Sequence, residues 1–161
     1  MERKFASTLE KRISKFCKQF GVKRASHAPE FSYYDGSKDI TFTVWCYSND
    51  KLLIDFINRK YEADISDWFF VFCLLHEIGH HKTLHLLTEE DRENERALRA
   101  LASVSDLPFN DELYFNLPAE DLADKWALEY LANHLQECWD FQRRCIKDIC
   151  HIYNKKSFKK A

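Results

Sequence analysis

The chain has 161 residues, 45% of them hydrophobic and 15% aromatic, with only three Gly and three Pro. That size and composition suit one packed domain over residues 1–161 and exclude a disordered or low-complexity chain. A formal net charge of -2 and a pI near 6.4 exclude a whole-molecule pull toward nucleic acid or acidic lipid, so nucleic acid is not an expected partner.

The first residues, MERKFASTLEKRISKF, are too charged for a secretory leader, and no run approaches the ~18 apolar residues of a membrane span. From Arg3 to Phe20 the apolar residues Phe5, Leu9, Ile13, Phe16 and Phe20 recur at three- and four-residue steps, and Gly21 stands where a C-terminal cap belongs. This predicts an amphipathic helix whose other face, with Lys4, Lys11, Arg12, Lys15 and Lys18, reads as a solvated surface. Nucleic-acid binding through that basic face is a lesser reading, and it predicts salt-sensitive affinity.

The period then changes to alternation. Ile40, Phe42, Val44 and Cys46 point one way, and Thr41, Thr43, Trp45 and Tyr47 the other, which predicts a strand. Asp35-Gly36 marks a turn after Phe31-Ser32-Tyr33-Tyr34. Ser48-Asn49-Asp50 marks another before Leu52-Leu53-Ile54-Asp55-Phe56-Ile57, read as a returning strand. A small antiparallel meander is the expectation.

Beyond it the pattern is helical. Asp64 or Ser66 caps a helix through Trp68, Phe69, Phe70, Val71, Phe72, Leu74, Leu75 and Ile78, apolar enough to be buried on most sides. Thr88-Glu89-Glu90-Asp91 starts a second helix, through Leu98, Leu101 and Ala102, that Leu107-Pro108 ends. Pro118 opens a long third one to about Ile152. The six cysteines, Cys17, Cys46, Cys73, Cys138, Cys145 and Cys150, include no CxxC pair and read as free thiols packed in a core.

His76-Glu77-Ile78-Gly79-His80 matches HExxH inside the apolar helical stretch. Residues i and i+4 share a helix face, about 6 Å apart at Cβ, so two imidazoles converge on one ion. Glu77, rotated about 100° from His76, reaches a bound water rather than the ion and is the candidate general base. With His at 7 of 161 positions, a random chain of this composition holds roughly 0.02 such matches. Surface histidines beside a solvated Glu77 are the bland alternative, and an apolar setting disfavours it.

Catalytic zinc commonly takes three protein ligands and leaves a position to water. The HExxHxxGxxH extension is absent, since positions 83 and 86 hold Thr83 and Leu86, and His85 is one place out of register. Glu120 and Asp124, at the start of the last helix, share a face. Glu120 is taken as the ligand and Asp124 as acceptor of a ligand histidine's Nδ1 hydrogen, with Asp124 as the substitute ligand. Their place in a first helical turn is also favoured by the helix dipole alone. His81 points about 100° away from His80, and His134 lies about 21 Å along the helix from Glu120, so neither joins the site. Tyr47, Tyr61, Tyr114 and Tyr130 all remain open as stabilisers of a developing oxyanion.

HEIGH followed by Glu120, Ala123, Asp124, Trp126 and Ala127 resembles the ImmA/IrrE family of bacterial and phage gluzincin-type metallopeptidases, and the order of elements is also similar. The resemblance implies an α+β, zincin-like metallopeptidase fold, with a small antiparallel sheet packed on the HExxH helix and a long C-terminal helix. It implies one zinc per chain on His76, His80 and Glu120, with Glu77 as general base and acid. It implies hydrolysis of a peptide bond in a protein or peptide, such as a repressor-like regulator, in the cytoplasm of a bacterium or a phage-infected host. The rival from another class is a non-catalytic zincin-fold binding or regulatory module, phage-derived in origin.

Overall fold

The computed structural model describes residues 2–44, 51–104 and 114–157. These form an α+β arrangement of six helices and a three-stranded mixed sheet. None of the described helices is long and apolar enough to cross a membrane.

Helix α1 (Glu2–Lys18) buries Leu9, Ile13, Phe16 and Cys17 along one stripe. It ends at Lys18, and after a short turn Gly21, with a φ of 95°, takes the left-handed conformation that lets the chain leave the helix direction. The chain then enters β1 (Arg24–His27), β2 (Ser32–Tyr34) and β3 (Asp39–Phe42). The sheet is not the expected meander. β3 lies between the other two, antiparallel to β2 but parallel to β1. Residues 28–31 step across the width later filled by β3, so β2 descends two positions from β1 and the tight β2–β3 turn drops β3 into the slot. Tyr33 and Ala25 both pair with Ile40, which is fully buried. Of the strand expected over 40–47, Ile40 and Phe42 face the core as foreseen. Trp45, Cys46, Tyr47 and the turn at Ser48-Asn49-Asp50 lie outside the described residues.

The second correction concerns Leu52 to Ile57, which is no returning strand. It begins helix α2 (Lys51–Tyr61). A six-residue apolar run does not discriminate helix from strand by itself. The burial does: Leu53, Ile54 and Ile57 turn inward while Leu52 and Asp55 are exposed, a spacing of three and four.

Helix α3 (Phe69–Thr83) follows a short 3-10 turn over Ser66–Trp68, whose entry is held by Asp64 Oδ1 accepting from the Ser66 N–H at 3.0 Å. Eleven of its fifteen residues are buried. Its N-terminal donors are served from a distance, with Gln142 Oε1 accepting from the Val71 N–H at 3.2 Å while Gln142 Nε2 donates to the Asp67 carbonyl at 2.6 Å. Thr88 caps α4 (Glu89–Val104) reciprocally with Asp91: the Thr88 N–H donates to Asp91 Oδ2 at 2.9 Å, and Thr88 Oγ1 accepts from the Asp91 N–H at 3.1 Å. The expected stop at Leu107-Pro108 lies outside the described residues.

The long last helix is two. α5 (Pro118–Asn133) starts with Pro118 in its first turn, as expected, and stops at His134; α6 (Leu135–Ser157) follows. At the break, His134 Nδ1 lies 3.0 Å from the Tyr130 carbonyl and its ring stacks on Tyr130 at 4.0 Å. The side chain thereby competes for a backbone group at the helix end. With the chain turned, α6 returns along α1, and Cys138, Phe141, Cys145 and Ile149 join the core. Of the six cysteines, Cys17, Cys73, Cys138 and Cys145 are free and buried, and Cys150 is free and exposed.

Candidate metal centre

α3 and α5 pack closely, and small residues make that contact. A Cβ at Gly79 would stand 2.6 Å from the Ala123 carbonyl oxygen and 2.9 Å from its Cα. Only glycine permits this approach. Ala119, Ala123 and Ala127 line the facing side of α5 at four-residue steps, all buried. The glycine of HEIGH and the alanine of the Glu120–Asp124 segment are thus two halves of one contact, and it carries the acidic face of α5 up to the imidazoles of α3.

There His76 Nε2 and His80 Nε2 lie 3.0 Å apart, and Glu120 Oε2 lies 3.1 Å from the first and 3.4 Å from the second. Asp124 takes the opposite side of the ring, with Oδ1 2.8 Å from His76 Nδ1. A carboxylate only accepts, so Nδ1 carries hydrogen and Nε2 is the nitrogen turned to the centre. Glu120 faces both Nε2 atoms and Asp124 stands behind one of them, the division of places taken from the sequence with Asp124 as substitute ligand. Glu77, Glu120 and Asp124 are 7%, 3% and 2% exposed, an expensive concentration of carboxylates unless cations meet it.

These atoms fit a metal ion. Ligand atoms about 2.0–2.1 Å from a tetrahedral zinc stand about 3.3–3.4 Å from one another, close to the three separations here. Two imidazole nitrogens and one carboxylate oxygen are also a donor set that suits zinc, and His76, His80 and Glu120 converge closely enough to share an ion. Without a cation, three acceptor atoms face one point and a proton must stand in. Burial would push His76 down, but its hydrogen bonds to Asp124 and Glu120, with Glu77 nearby, outweigh that and hold it up to about 10. Burial likewise works to raise Glu120, yet the bonds from His76 and His80 keep it well below the usual carboxylate range. Glu77 has no such bonds, and burial lifts it above that range against the pull of the two histidines.

Glu77, His76, Glu120 and Asp124 open onto a cavity of about 310 Å³, walled by apolar groups including Phe31, Leu53, Phe72 and Phe115. A larger, more open groove of about 610 Å³ runs between α1 and α6, lined by Lys11, Arg12, Lys15 and Arg144. It lies apart from the converging groups, so volume does not locate the chemistry.

The remaining candidates disperse. His81 bonds to Tyr33, its Nδ1 2.8 Å from the phenol oxygen, and His134 serves the helix break. Of the four tyrosines, Tyr47 is outside the described residues, and Tyr130 stacks on Trp126 and donates to Glu137. Tyr114 lines the cavity. Tyr61 donates to Asp121 at 2.9 Å and Asp124 at 3.2 Å, a role sequence reasoning missed because the partners are some sixty residues apart. Comparison with protein-family models, with curated proteins and with solved structures finds no match for this chain.

Proposed function

We propose that this protein is a zinc-dependent metallopeptidase of the gluzincin type, with a zincin-like fold related to the ImmA/IrrE family, acting on a peptide bond in a protein substrate. The observation that carries the reading is the convergence of His76 Nε2, His80 Nε2 and Glu120 Oε2 within 3.4 Å of one another, beside a buried Glu77 that opens on a cavity. His76, His80 and Glu120 would hold one zinc ion, and Asp124 orients His76. When bound, zinc polarises the scissile carbonyl and makes water more acidic.

The chain's own groups do the rest. Glu77, held above the usual carboxylate range by burial, takes the proton of the attacking water and passes it to the leaving amine. The apolar walls hold the substrate out of bulk water, and the low local polarity strengthens each charge interaction at the centre. A site with a protein carboxylate and two imidazoles leaves a coordination position for water, whereas a structural zinc is closed by four protein ligands. Among the described residues, His76, His80 and Glu120 form the cluster, which favours the enzyme over the binding module.

The test is metal content by elemental mass spectrometry for the wild type, His76→Ala and Glu120→Ala, alongside hydrolysis of a peptide library. About one zinc per chain, lost in both variants, supports the site; a well-folded wild type that takes up no zinc overturns it. Glu77→Gln is expected to keep the zinc and lose about 10²–10⁴ in turnover, the scale of general acid–base catalysis. An equally active Glu77→Gln would remove Glu77 from its role.

A further inference from the structure

We propose that the last turn of α2, Lys60 and Tyr61, is a positioning element for the metal centre: Tyr61 pins Asp124 onto His76, and Lys60 keeps Tyr61 available for it. This rests on the metal-centre reading above, and the experiment separates the two.

Asp124 is almost wholly buried, and its two oxygens face different partners. Oδ1 accepts from His76 Nδ1 at 2.8 Å, and Oδ2 accepts from the Tyr61 hydroxyl at 3.2 Å. Held at both ends, the carboxylate plane does not turn away from the imidazole, and His76 is kept in the tautomer that presents Nε2 to the centre. With only His76 left, Oδ2 would lose a buried hydrogen bond and the carboxylate would rotate to replace it.

A phenol has one hydrogen, and Tyr61 faces two carboxylates. Asp121 Oδ1 is nearer, at 2.9 Å. Asp121, however, is met by two ammonium groups, Lys60 Nζ at 3.0 Å and Lys125 Nζ at 2.7 Å. Burial would raise Asp121, but the bonds from Lys125 and Lys60, with Tyr61, bring it down to about 2. Its demand for donors is thus largely answered by lysines, which leaves the phenol hydrogen to be shared with Asp124. Burial, with Asp124 and Asp121 beside it, raises the phenol far above its ordinary value, so it stays a donor throughout the working range.

Lys60 makes a third tie by donating to the Phe115 carbonyl at 2.9 Å, and Phe115 is part of the cavity wall. The ammonium also lies 4.9 Å from the centre of the Tyr61 ring, which steadies the pair. One helix end therefore joins the cavity wall, the first turn of α5 and the histidine support, though it supplies no ligand. The left-handed Glu62, φ 51°, stops α2 directly after Tyr61.

The experiment uses the full chain as wild type, Tyr61→Phe and Lys60→Met. Zinc affinity is read by competition with a chromophoric chelator, and solvent exchange of the His76 Nδ1–H by NMR of the metal-free protein. Loss of an outer partner of a ligating histidine typically weakens metal binding about 10- to 100-fold. Tyr61→Phe is expected at about the tenfold end of that range, with faster exchange of the His76 Nδ1–H, and Lys60→Met at a smaller loss in the same direction. Unchanged affinity and unchanged exchange in Tyr61→Phe overturn the inference. Should Tyr61→Phe fail to fold, Lys60→Met decides, since weaker zinc binding supports the brace and wild-type binding overturns it. A wild type that takes up no zinc defeats the metal-centre reading instead, and the exchange measurement still reports whether Tyr61 holds Asp124.

Discussion

The α3–α5 pair and the α1–α6 pair meet by different means. α1 and α6 interlock large groups. Phe16 stacks on Phe141 at 4.0 Å between ring centres, Cys17, Cys138 and Cys145 fill in behind, and Arg12 reaches Asp148 at 2.8 Å along the edge. α3 and α5 instead remove side chains from the contact, Gly79 against Ala123, and place Glu77, Glu120 and Asp124 in the space beside it. The first pair gains stability from apolar burial. The second sets polar groups out of water, where each costs free energy unless a partner or an ion meets it. Both pairs belong to one apolar core, but among the described residues the candidate metal ligands stand only at the α3–α5 contact.

Truncation tests the division most strongly on the stabilising side. Phe141→Ala removes one face of the Phe16 stack from a site only 8% exposed. Its expected cost is about 3–5 kcal/mol, read as a lower urea midpoint, with the zinc affinity of the folded molecules unchanged. A matching fall in zinc affinity would mean that the two pairs are not separate.

Gly79→Ala is the converse. Alanine favours the helix by about 1 kcal/mol over glycine, but its Cβ would stand 2.6 Å from the Ala123 carbonyl oxygen, a backbone atom that moves only if α5 moves. The expected net result is about 1–3 kcal/mol of destabilisation together with a clear loss of zinc affinity, because Glu120 and Asp124 travel with α5. Loss of stability without loss of zinc would show that the ligands do not depend on this contact.

The same contrast explains what was legible in the sequence. The HExxH helix reads well because its apolar density and its i, i+4 histidines are local properties, and Glu120 and Asp124 reads as a pair because they too lie one turn apart. What the sequence did not show depends on distance. Nothing in Leu52 to Ile57 alone says helix until residues as far as Tyr61 extend it to eleven. The parallel pairing of β1 with β3 follows from where residues 28–31 cross, which no alternation pattern encodes. The stop at His134 arises from one side chain bonding a carbonyl four residues back, inside a stretch whose periodicity continues on both sides. Tyr61 is the extreme case, since its meaning comes wholly from a helix whose residues begin more than fifty positions later.

Acid–base titration separates the two pairs by the pH at which each acts, with the smallest effect per step. In the metal-free chain His76 is raised from 6.5 to about 10, so between those values the folded state holds a proton that the unfolded state has lost. Stability is then fully present below about 6.5 and falls as pH rises, by at most about 1.4 kcal/mol per pH unit for one proton. Glu120, held low, is ionised in both states throughout this window. The thiols of α1 and α6 act later. Burial raises Cys17 and Cys145 from 9.0 to about 12 and Cys138 to about 11, so their contribution is lost only as pH climbs above 9. Zinc on the proposed ligands would distinguish the sources, because it would take the place of the His76 proton and leave the thiols untouched. Urea midpoints measured from pH 6.5 to 11 are expected to slope downward over the lower half only without zinc, and over the upper half with or without it. Zinc binding near pH 8 should release about one proton from His76, measurable as a dependence of the binding heat on the buffer's ionisation enthalpy. A lower-half slope that survives saturating zinc would place the titrating group elsewhere than at the centre of the α3–α5 pair.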